Sequence, residues 1–363
     1  MFSSKYRTPL IFRTFSSASS NDILFEVKNN IGIITLNRPR VLNSLTASMA
    51  SAMYSKLKEW ENERSFIIVK GSGDKAFCAG GDIISITKNK FEGLSLFSKQ
   101  YSSNYLISKY KIPFVSLCDG ITMGVGAGFS IQGTYRIATE RTIFAMPETR
   151  IGLLTESGSS YFLPRMEGKL GLFLGLTGHK LEGIDVLKVG VATHFLPSDK
   201  IADLFDRLVE TEADSIEDVL KKTTIDVGNK EFSLNSKMDL INSCFEGESV
   251  EDIIELLQTE GSPWSRRVLD ILSRASPTSL KISKKVIDFG ASRDLRDCLV
   301  TEFRLVWNAV QCSITSDFYE GVRAVLIDKD NNPKWSPRCL EEVDDAKVSK
   351  CFSPLPPGEE LDI

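Results

Sequence analysis

The chain has 363 residues, of which 42% are hydrophobic and 25% charged, and its formal net charge is −4 at pH 7. This composition is typical of a globular protein with one large domain and an appendage, or with two modest domains. No stripe of Lys and Arg interleaved with aromatic residues is present, and no apolar run approaches the roughly 20 residues that cross a bilayer, so we expect neither nucleic acid nor a membrane as a partner.

Cysteine and histidine give no pattern for a metal centre or a disulfide framework. The seven cysteines are scattered without a CxxC pair, and neither of the two histidines, His179 and His194, has a cysteine or the other histidine close to it. An odd number of isolated cysteines is typical of free thiols in a reducing compartment. No GxGxxG opens a helix directly after a strand, which argues against a dinucleotide. We predict no metal and no cofactor.

The N-terminus differs in composition from the rest of the chain. Residues 1–20 contain Lys5, Arg7, Arg13 and six serines, and the first acidic residue is Asp22. A basic, serine-rich and acid-poor leader is typical of mitochondrial transit peptides. A disordered tail is the alternative, but this leader also keeps large apolar residues. We predict a transit peptide over residues 1–20 and a location in the mitochondrial matrix.

The predicted elements alternate between strands and helices. Apolar and polar positions alternate on both sides of Asn29-Asn30, which predicts a hairpin that starts at Ile23. Thr46 can cap a helix whose apolar residues recur every three or four positions up to Trp60. The next predictions are a strand over 66–71, a loop over 71–83, a helix over about 92–110 and strands over 114–120 and 135–139. This order predicts an α/β fold.

Helical patterns dominate the second half of the chain. Residues 276–290 and 301–311 are amphipathic, and Ser276 before Pro277 can start the first of these helices. Residues 201–262 are acidic and helical, as in an insertion. We predict a core that carries the candidate site over 21–200, a helical insertion over 201–262, a C-terminal helical region over 263–350 and a loose Pro-rich tail over 351–363.

Three segments place glycines or carboxylates beside predicted strands. KAFCAGGDI (75–83) lets the backbone turn sharply and expose amide protons, and GITMGVGAGFS (120–130) opens a buried helix whose first amides favour negative charge. MPETRIGLLTESGSS (146–160) carries Glu148 and Glu156, eight positions apart. Each segment alone is more simply a turn, a close helix contact or a pair of solvated charges. Their order along the chain is more specific than any one of them.

In this order the segments resemble the crotonase (enoyl-CoA hydratase/isomerase) superfamily. LNRPRVLNSL (36–45) and YFLPR (161–165) match further motifs of that superfamily. DFYEGVRAVLIDKDNNPKW (317–335) resembles the ending of one branch, the 3-hydroxyisobutyryl-CoA hydrolases of valine breakdown. The resemblance covers Ile23 to Trp335. It implies a spiral of repeated ββα units followed by a helical C-terminal region, with a small-molecule acyl-CoA as substrate.

The resemblance also implies roles for individual residues. Backbone amides of Ala79 and Val125 would form an oxyanion hole, because a thioester carbonyl becomes an oxyanion when it is attacked. Glu148 would attack the thioester directly or activate a water. Glu156 stands where the branch has an aspartate, and it would bind the 3-hydroxyl group of the substrate or help to protonate the leaving thiolate. The two glutamates would therefore be the catalytic pair.

Several positions depart from the patterns of the superfamily. Gly128 stands where hydratases carry their first glutamate, which argues against hydration. Gln100 replaces a glutamate that lines the substrate site in the branch, Val125 replaces a glycine, and Glu156 is one methylene longer than the aspartate. The predicted substrate-binding residues are Gln100, Val125, Glu148 and Glu156. Two alternatives stay open: enoyl-CoA hydration or isomerisation, and a catalytically silent member that binds an acyl-CoA or a protein.

The CoA part of the substrate receives weaker assignments from the resemblance. CoA would be part of the substrate and product and not a cofactor. Many crotonases form trimers through their C-terminal helices, so a homo-oligomer is also open. The predicted CoA-binding residues, with Arg38 or Lys75 near the phosphates, are Arg38, Ser44, Leu45, Lys75, Gly80, Gly81, Asp82 and Ile83.

Overall fold

The computed structural model describes residues 21–228 and 230–363, so the predicted transit peptide lies outside the described residues. Strands and helices alternate up to about residue 195, and helices follow. The strands are β1 (Ile23–Lys28), β2 (Ile31–Leu36), β3 (Ile67–Gly71), β4 (Ala76–Cys78), β5 (Phe114–Cys118), β6 (Ile121–Met123), β7 (Tyr135–Ala138), β8 (Ile143–Ala145), β9 (Leu181–Glu182) and β10 (His194–Phe195).

The helices differ in length along the chain. The first eight are α1 (Ala47–Trp60), α2 (Ile83–Lys88), α3 (Lys90–Lys109), α4 (Val125–Ile131), α5 (Ser159–Phe162), α6 (Leu170–Thr177), α7 (Ile184–Lys188) and α8 (Ile201–Val209). The remaining eight are α9 (Ile216–Thr223), α10 (Met238–Cys244), α11 (Val250–Glu260), α12 (Pro263–Arg274), α13 (Pro277–Gly290), α14 (Leu295–Gln311), α15 (Asp317–Val322) and α16 (Asp345–Lys350).

Two sheets organise the core. The larger has the order β1-β2-β3-β5-β7-β10, with the β1–β2 hairpin antiparallel and the other pairs parallel. The smaller has the order β4-β6-β8-β9. The pairs β3–β4, β5–β6 and β7–β8 each send their first strand to the larger sheet and their second to the smaller one. This repetition confirms the predicted α/β fold of repeated ββα units with a helical C-terminal region.

The turn and the helix cap near the start of the described chain occur where the sequence predicts them. Asn29 and Asn30 have φ angles of 47° and 65°, the left-handed values that a two-residue hairpin turn of this kind requires. The Thr46 hydroxyl accepts a hydrogen bond from the N–H of Met49 at 3.2 Å and caps α1. Both predictions are confirmed because turn and cap depend on residues that are neighbours in sequence.

The segment 71–83, predicted as a loop, contains the strand β4. Ala76, Phe77 and Cys78 are all buried, so the strand has no alternation of apolar and polar residues. A buried parallel strand of three residues lacks the periodicity by which strands are recognised in sequence. Helix α14 also begins at Leu295, earlier than the predicted residue 301, because Asp294 caps it by accepting a hydrogen bond from the N–H of Asp297 at 2.8 Å.

The C-terminal tail, residues 351–363, is not loose. Leu355 and Leu361 are buried, and the Arg304 Nε atom of α14 lies 2.9 Å from Glu360 Oε1. Arg296 donates from Nε to the carbonyl of Ile363 at 2.9 Å. The prolines of this segment prevent a regular element but not packing, so the prediction of a loose tail is wrong. The other predicted boundaries stay predictions, with α8, α9, α10 and α11 within 201–262.

In residues 21–228 and 230–363 no helix is both long and apolar enough to cross a bilayer. Nor do three or more His, Cys, Asp or Glu side chains within these ranges form a group that could hold a metal ion.

Candidate active site

A cavity of about 990 Å³ opens between the strand ends of the core and the C-terminal helices. Its walls come from the loop after β4, the start of α4, the turn after β8, the end of α12 and residues 331–335. The structure thus brings together predicted site residues that are far apart in sequence, from Ser44 to Glu156. The predicted residues on its wall are Ser44, Ala79, Gly80, Gly81, Asp82, Ile83, Val125, Glu148 and Glu156.

Glu148 is buried at the start of a 3₁₀ turn, Glu148–Ile151, that follows β8. A Cβ atom added to Gly124 would lie 3.1 Å from Glu148 Oε1 and 3.7 Å from the Cα of Gly80. Glu148 Oε2 has no hydrogen-bond partner in the part of the chain that the structure describes. The carboxylate therefore lies beside the two glycine loops and has an oxygen free for chemistry.

Glu156 is buried in the same cavity and is held on one side. Its Oε2 atom accepts hydrogen bonds from the Tyr101 hydroxyl and from the Ser157 hydroxyl, both at 2.7 Å. Tyr101 belongs to α3, so the long helix fixes the position of this carboxyl group. Tyr101 was not among the predicted residues, because no local pattern marks a tyrosine whose partner is 55 positions away.

The two glutamates are electrostatically coupled. Burial, and next the negative charge of Glu156, raise the pKa of Glu148 well above its usual range. Burial raises the pKa of Glu156 to about 7, against the hydrogen bonds from Ser157 and Tyr101, which lower it. Neither glutamate forms an ion pair with a described residue, and two buried carboxylates in this situation resist double ionisation, so the pair keeps a proton into the neutral range. Such a pair can supply a base and an acid at the same pH.

Ala79 is not a free oxyanion donor, and this corrects the sequence-based assignment. Its N–H donates to the carbonyl of Leu42 at 3.0 Å. Leu45 forms a parallel β-bridge with Gly81. The Leu45 N–H donates to the carbonyl of Gly80 at 2.9 Å, and the Leu45 carbonyl accepts from the N–H of Asp82 at 2.8 Å. Because peptide groups alternate in direction along an extended chain, the N–H of Gly81 faces away from Leu45. It meets no acceptor within the described ranges, and Gly81 lines the cavity.

Val125 occupies a position where its branched side chain causes no backbone strain. It is the first residue of α4, and the unusual backbone conformation, with φ of 48°, falls on Gly124 instead. The N–H of a first helical residue has no partner inside the helix. Like the N–H of Gly81, the N–H of Val125 is therefore a backbone donor on the cavity wall that meets no acceptor among the described residues.

Gly128 leaves no room for the first glutamate of a hydratase. A Cβ atom at this position would lie 2.5 Å from both the Cβ and the carbonyl oxygen of Ser157. The Asn104 side chain also donates to that carbonyl at 3.1 Å. A longer side chain at 128 would displace the turn that follows Glu156, so the structure supports the argument against hydration.

Four predicted binding residues are not on the cavity wall. Arg38 donates from Nη1 to Asp82 Oδ2 at 2.9 Å and so braces the loop. Leu45 is buried and acts through its backbone, and Lys75 is exposed outside the cavity. Gln100 is buried on α3, and its side-chain N and O atoms have no partner among the residues described. A motif match identifies the segment that carries each residue, but it does not fix which of its groups faces the cavity.

Three cationic side chains line the cavity, and they belong to segments other than those of Arg38 and Lys75. Arg150, Lys180 and Arg274 lie on its wall together with His179. Arg150 donates to Asn331 Oδ1 at 3.0 Å, and Arg274 pairs with Asp270 on the same helix. Lys180 forms no ion pair with any residue in the described part of the chain. These cations are the groups that could meet the phosphates of a CoA ligand.

Comparisons with known proteins identify the family of the chain. The family model described as enoyl-CoA hydratase/isomerase matches residues 31–352. The 3-hydroxyisobutyryl-CoA hydrolase, mitochondrial, of Homo sapiens is 44% identical over 351 residues, which are 93% of this chain and 90% of the relative. The protein of that name from Danio rerio is 46% identical over 353 residues, 94% of this chain and 91% of the relative.

Solved structures show the same fold. A carnitinyl-CoA dehydratase from Mycobacterium thermoresistibile superposes with a TM-score of 0.87 at 34% identity, over 94% of this chain and 98% of that chain. An enoyl-CoA hydratase from Rhodobacter sphaeroides 2.4.1 superposes with a TM-score of 0.85 at 31% identity, over 94% of this chain and 100% of that chain. With its family match over most of its length and relatives above 40% identity, the chain belongs to the enoyl-CoA hydratase/isomerase family, the crotonase superfamily.

Proposed function

We propose that the chain hydrolyses 3-hydroxyisobutyryl-CoA to 3-hydroxyisobutyrate and free CoA in valine breakdown, and that it also accepts 3-hydroxypropionyl-CoA. The observation that carries the proposal is the buried Glu148 carboxyl group beside the glycine loops, one oxygen of which has no hydrogen-bond partner among the described residues. The lack of space at Gly128 for a hydratase glutamate supports hydrolysis over hydration. Curated relatives over most of the chain carry the name of this hydrolase.

The proposed oxyanion site is the pair of amides from Gly81 and Val125. The thioester carbonyl oxygen would lie between these N–H groups, and the charge that develops on it would meet donors that are already oriented. Glu148 is close to the second of these donors. Its Oε1 atom would lie 3.1 Å from a Cβ atom added to Gly124, the residue directly before Val125. A thioester carbonyl bound there has its carbon within reach of Glu148.

Glu148 would act on that carbon in one of two ways. As a nucleophile its oxygen forms a bond to the acyl carbon, the C–S bond breaks, and water then opens the anhydride to give the free acid. As a general base it removes a proton from a water that attacks the same carbon. In both routes Glu156 would bind the 3-hydroxyl group or help to protonate the departing thiolate. Its pKa of about 7 suits proton transfer at neutral pH.

The raised pKa values predict a distinct pH dependence. Glu148 is active as a carboxylate, and a raised pKa keeps it protonated at lower pH, so kcat/KM should rise with pH on the acid side. If Glu156 protonates the thiolate, kcat/KM should fall again once Glu156 is ionised. We expect an apparent midpoint near or above the pKa of about 7 of Glu156, because the pair titrates jointly. Initial rates of thiol release, corrected for spontaneous thioester hydrolysis, measure this. A rate already constant above about pH 5, as for ordinary carboxylates, would contradict it.

Lys180 would contact a CoA phosphate, in place of the Lys75 contact that the motif match implies. Lys180→Ala should weaken CoA binding about threefold to tenfold, since it removes one charge-assisted contact, and the loss should shrink at high salt. Lys75→Ala, an equal change outside the cavity, should alter it less than about twofold. Calorimetric titration with CoA measures both. A larger effect of Lys75→Ala than of Lys180→Ala would contradict the Lys180 contact and would support the contact of Lys75 with the phosphates.

The location and the cofactor requirement are also proposals. The relatives' names place those proteins in mitochondria, and the basic leader of this chain supports import into the matrix. The chemistry above uses only carboxylates, amides and water, so we propose that hydrolysis requires no cofactor.

Product analysis in ¹⁸O-water tests the proposed reaction. The chain would be incubated with 3-hydroxyisobutyryl-CoA and, separately, with crotonyl-CoA, and products would be identified by mass spectrometry. We expect labelled 3-hydroxyisobutyrate and free CoA from the first substrate, and no hydrated crotonyl-CoA from the second. A hydrated or isomerised acyl-CoA with the thioester intact would replace the proposal by the hydratase or isomerase alternative.

A further inference from the structure

Glu302, on α14, is a buried carboxyl group that the mechanism above does not use. Its side chain is 0% exposed, and it is not part of the cavity wall. None of the ion pairs between described residues includes it. Burying a carboxyl group without a cation is costly unless hydrogen bonds compensate, so its partners indicate what it does.

The partners of Glu302 all belong to the turn that follows Glu156. Its Oε2 accepts a hydrogen bond from the N–H of Gly158 at 2.6 Å. Its Oε1 accepts from the N–H of Ser160 at 2.8 Å and from the Ser160 hydroxyl at 2.5 Å. One carboxyl group on α14 thus satisfies three donors within three residues of the turn.

This turn needs support, because its backbone is unusual. Ser157 and Gly158 have φ angles of 66° and 85°, and a left-handed conformation is unfavourable for serine. The hydroxyl of the same Ser157 donates to Glu156 Oε2. If the turn relaxed, Ser157 would move and Glu156 would lose one of its two hydrogen-bond donors.

We propose that Glu302 is a positioning residue for catalysis: by binding the N–H groups of Gly158 and Ser160 it holds the Ser157 turn, and with it the Glu156 carboxyl group, in the active arrangement. The inference rests on the proposed function, in which Glu156 takes part in thioester hydrolysis. Glu302 is 146 positions away from Glu156 in sequence. Glu302 acts through the turn and does not touch the substrate.

The carboxyl group is required in this position by the geometry of its donors. Whether ionised or protonated, it offers both oxygens as acceptors to the two N–H groups, and a protonated form can donate to the Ser160 hydroxyl. Burial raises the pKa of Glu302 to about 8, against the hydrogen bonds from Ser160 and Gly158, so both forms occur near neutral pH. A glutamine would turn an NH₂ group toward one of the N–H groups and leave that donor unpaired.

The first test is Glu302→Gln in the full chain. We expect kcat for 3-hydroxyisobutyryl-CoA to fall at least about tenfold, with the affinity for CoA within about twofold, because the change reaches the reaction through one positioned carboxyl group and leaves the CoA contacts in place. The matched control is Glu140→Gln, since Glu140 binds the N–H and the hydroxyl of Ser198 in the same way but lies outside the cavity. Equal losses in both variants, or none in Glu302→Gln, would overturn the proposal.

A double-mutant cycle separates positioning from a general loss of folding. If Glu302 acts through Glu156, adding Glu302→Gln to Glu156→Gln should cost less than about twofold in kcat beyond the single Glu156→Gln variant. A structural role elsewhere would give losses that multiply. Multiplying losses with an unchanged melting temperature would contradict the proposal.

Hydrogen exchange gives a readout that does not depend on activity. In Glu302→Gln the peptide that covers residues 157–162 should exchange faster, while peptides from β3 and β5 keep their protection. Unchanged exchange in this turn would overturn the inference even if the chain hydrolyses no thioester. Faster exchange with no wild-type hydrolysis would instead contradict the proposed function and leave Glu302 as the support of this turn.

Discussion

Glu148→Gln is expected to lower kcat for 3-hydroxyisobutyryl-CoA by about 10³-fold or more, because an amide can serve neither as the nucleophile nor as the base. The change keeps the size of the side chain, so CoA binding should stay within a few-fold. Thiol release at saturating substrate measures kcat, and calorimetry measures CoA binding. Glu140→Gln, the same change at an exposed position, is the control. Turnover close to wild type in Glu148→Gln would remove Glu148 from the mechanism.

The same substitution should not destabilise the fold at alkaline pH. Burial raises the pKa of Glu148 in the folded state, so folding favours the protonated form, and stability falls as pH rises from the unfolded pKa through the folded pKa. A neutral glutamine removes this loss. We expect the melting temperature of Glu148→Gln at about pH 8 to equal or exceed that of wild type, as for other sites where function costs stability.

Gly81→Pro should lower kcat by about 10²–10³-fold, the loss typical for removal of one oxyanion donor. Proline removes the N–H of Gly81, which forms no bond to a described acceptor, and the preceding Gly80 has no Cβ to clash with the ring. The matched variant is Gly81→Ala, which keeps the N–H and whose Cβ would have its nearest contacts at 3.7 Å. We expect Gly81→Ala to lose no more than about fivefold.

Melting temperatures and CoA binding would verify that both Gly81 variants fold. A folded Gly81→Pro protein with the activity of Gly81→Ala would place the donor elsewhere on the cavity wall. This comparison tests the correction made by the structure, because the assignment to Ala79 predicts no special role for the N–H of residue 81.

Much of the fold was predictable because its signals are local. The left-handed pair Asn29-Asn30 and the cap at Thr46 involve neighbours in sequence, and both occur where predicted. The strand β4 was missed because three buried residues show no periodicity. The tail was misjudged because its packing depends on Arg304, about 50 residues earlier in the chain.

The site was predictable at the level of segments but not of atoms. The motif match places Glu148 and Glu156 in one cavity with the glycine loops, as the structure has them. Which N–H faces the cavity depends on the pairing of Gly81 with Leu45, a contact between distant segments. Tyr101 on α3, which donates to Glu156, and Glu302 on α14, which binds the turn after Glu156, are both far away in sequence, so no local pattern marks them.

The most direct test of the account is thiol release by the purified chain from 3-hydroxyisobutyryl-CoA, beside acetyl-CoA and crotonyl-CoA, followed with a chromogenic disulfide reagent. Free thiols of the protein are subtracted with a sample that lacks substrate. We expect multiple turnovers with the hydroxyacyl substrate and little thiol release from the other two thioesters. CoA binding without any thiol release would contradict it and would indicate a silent member of the family.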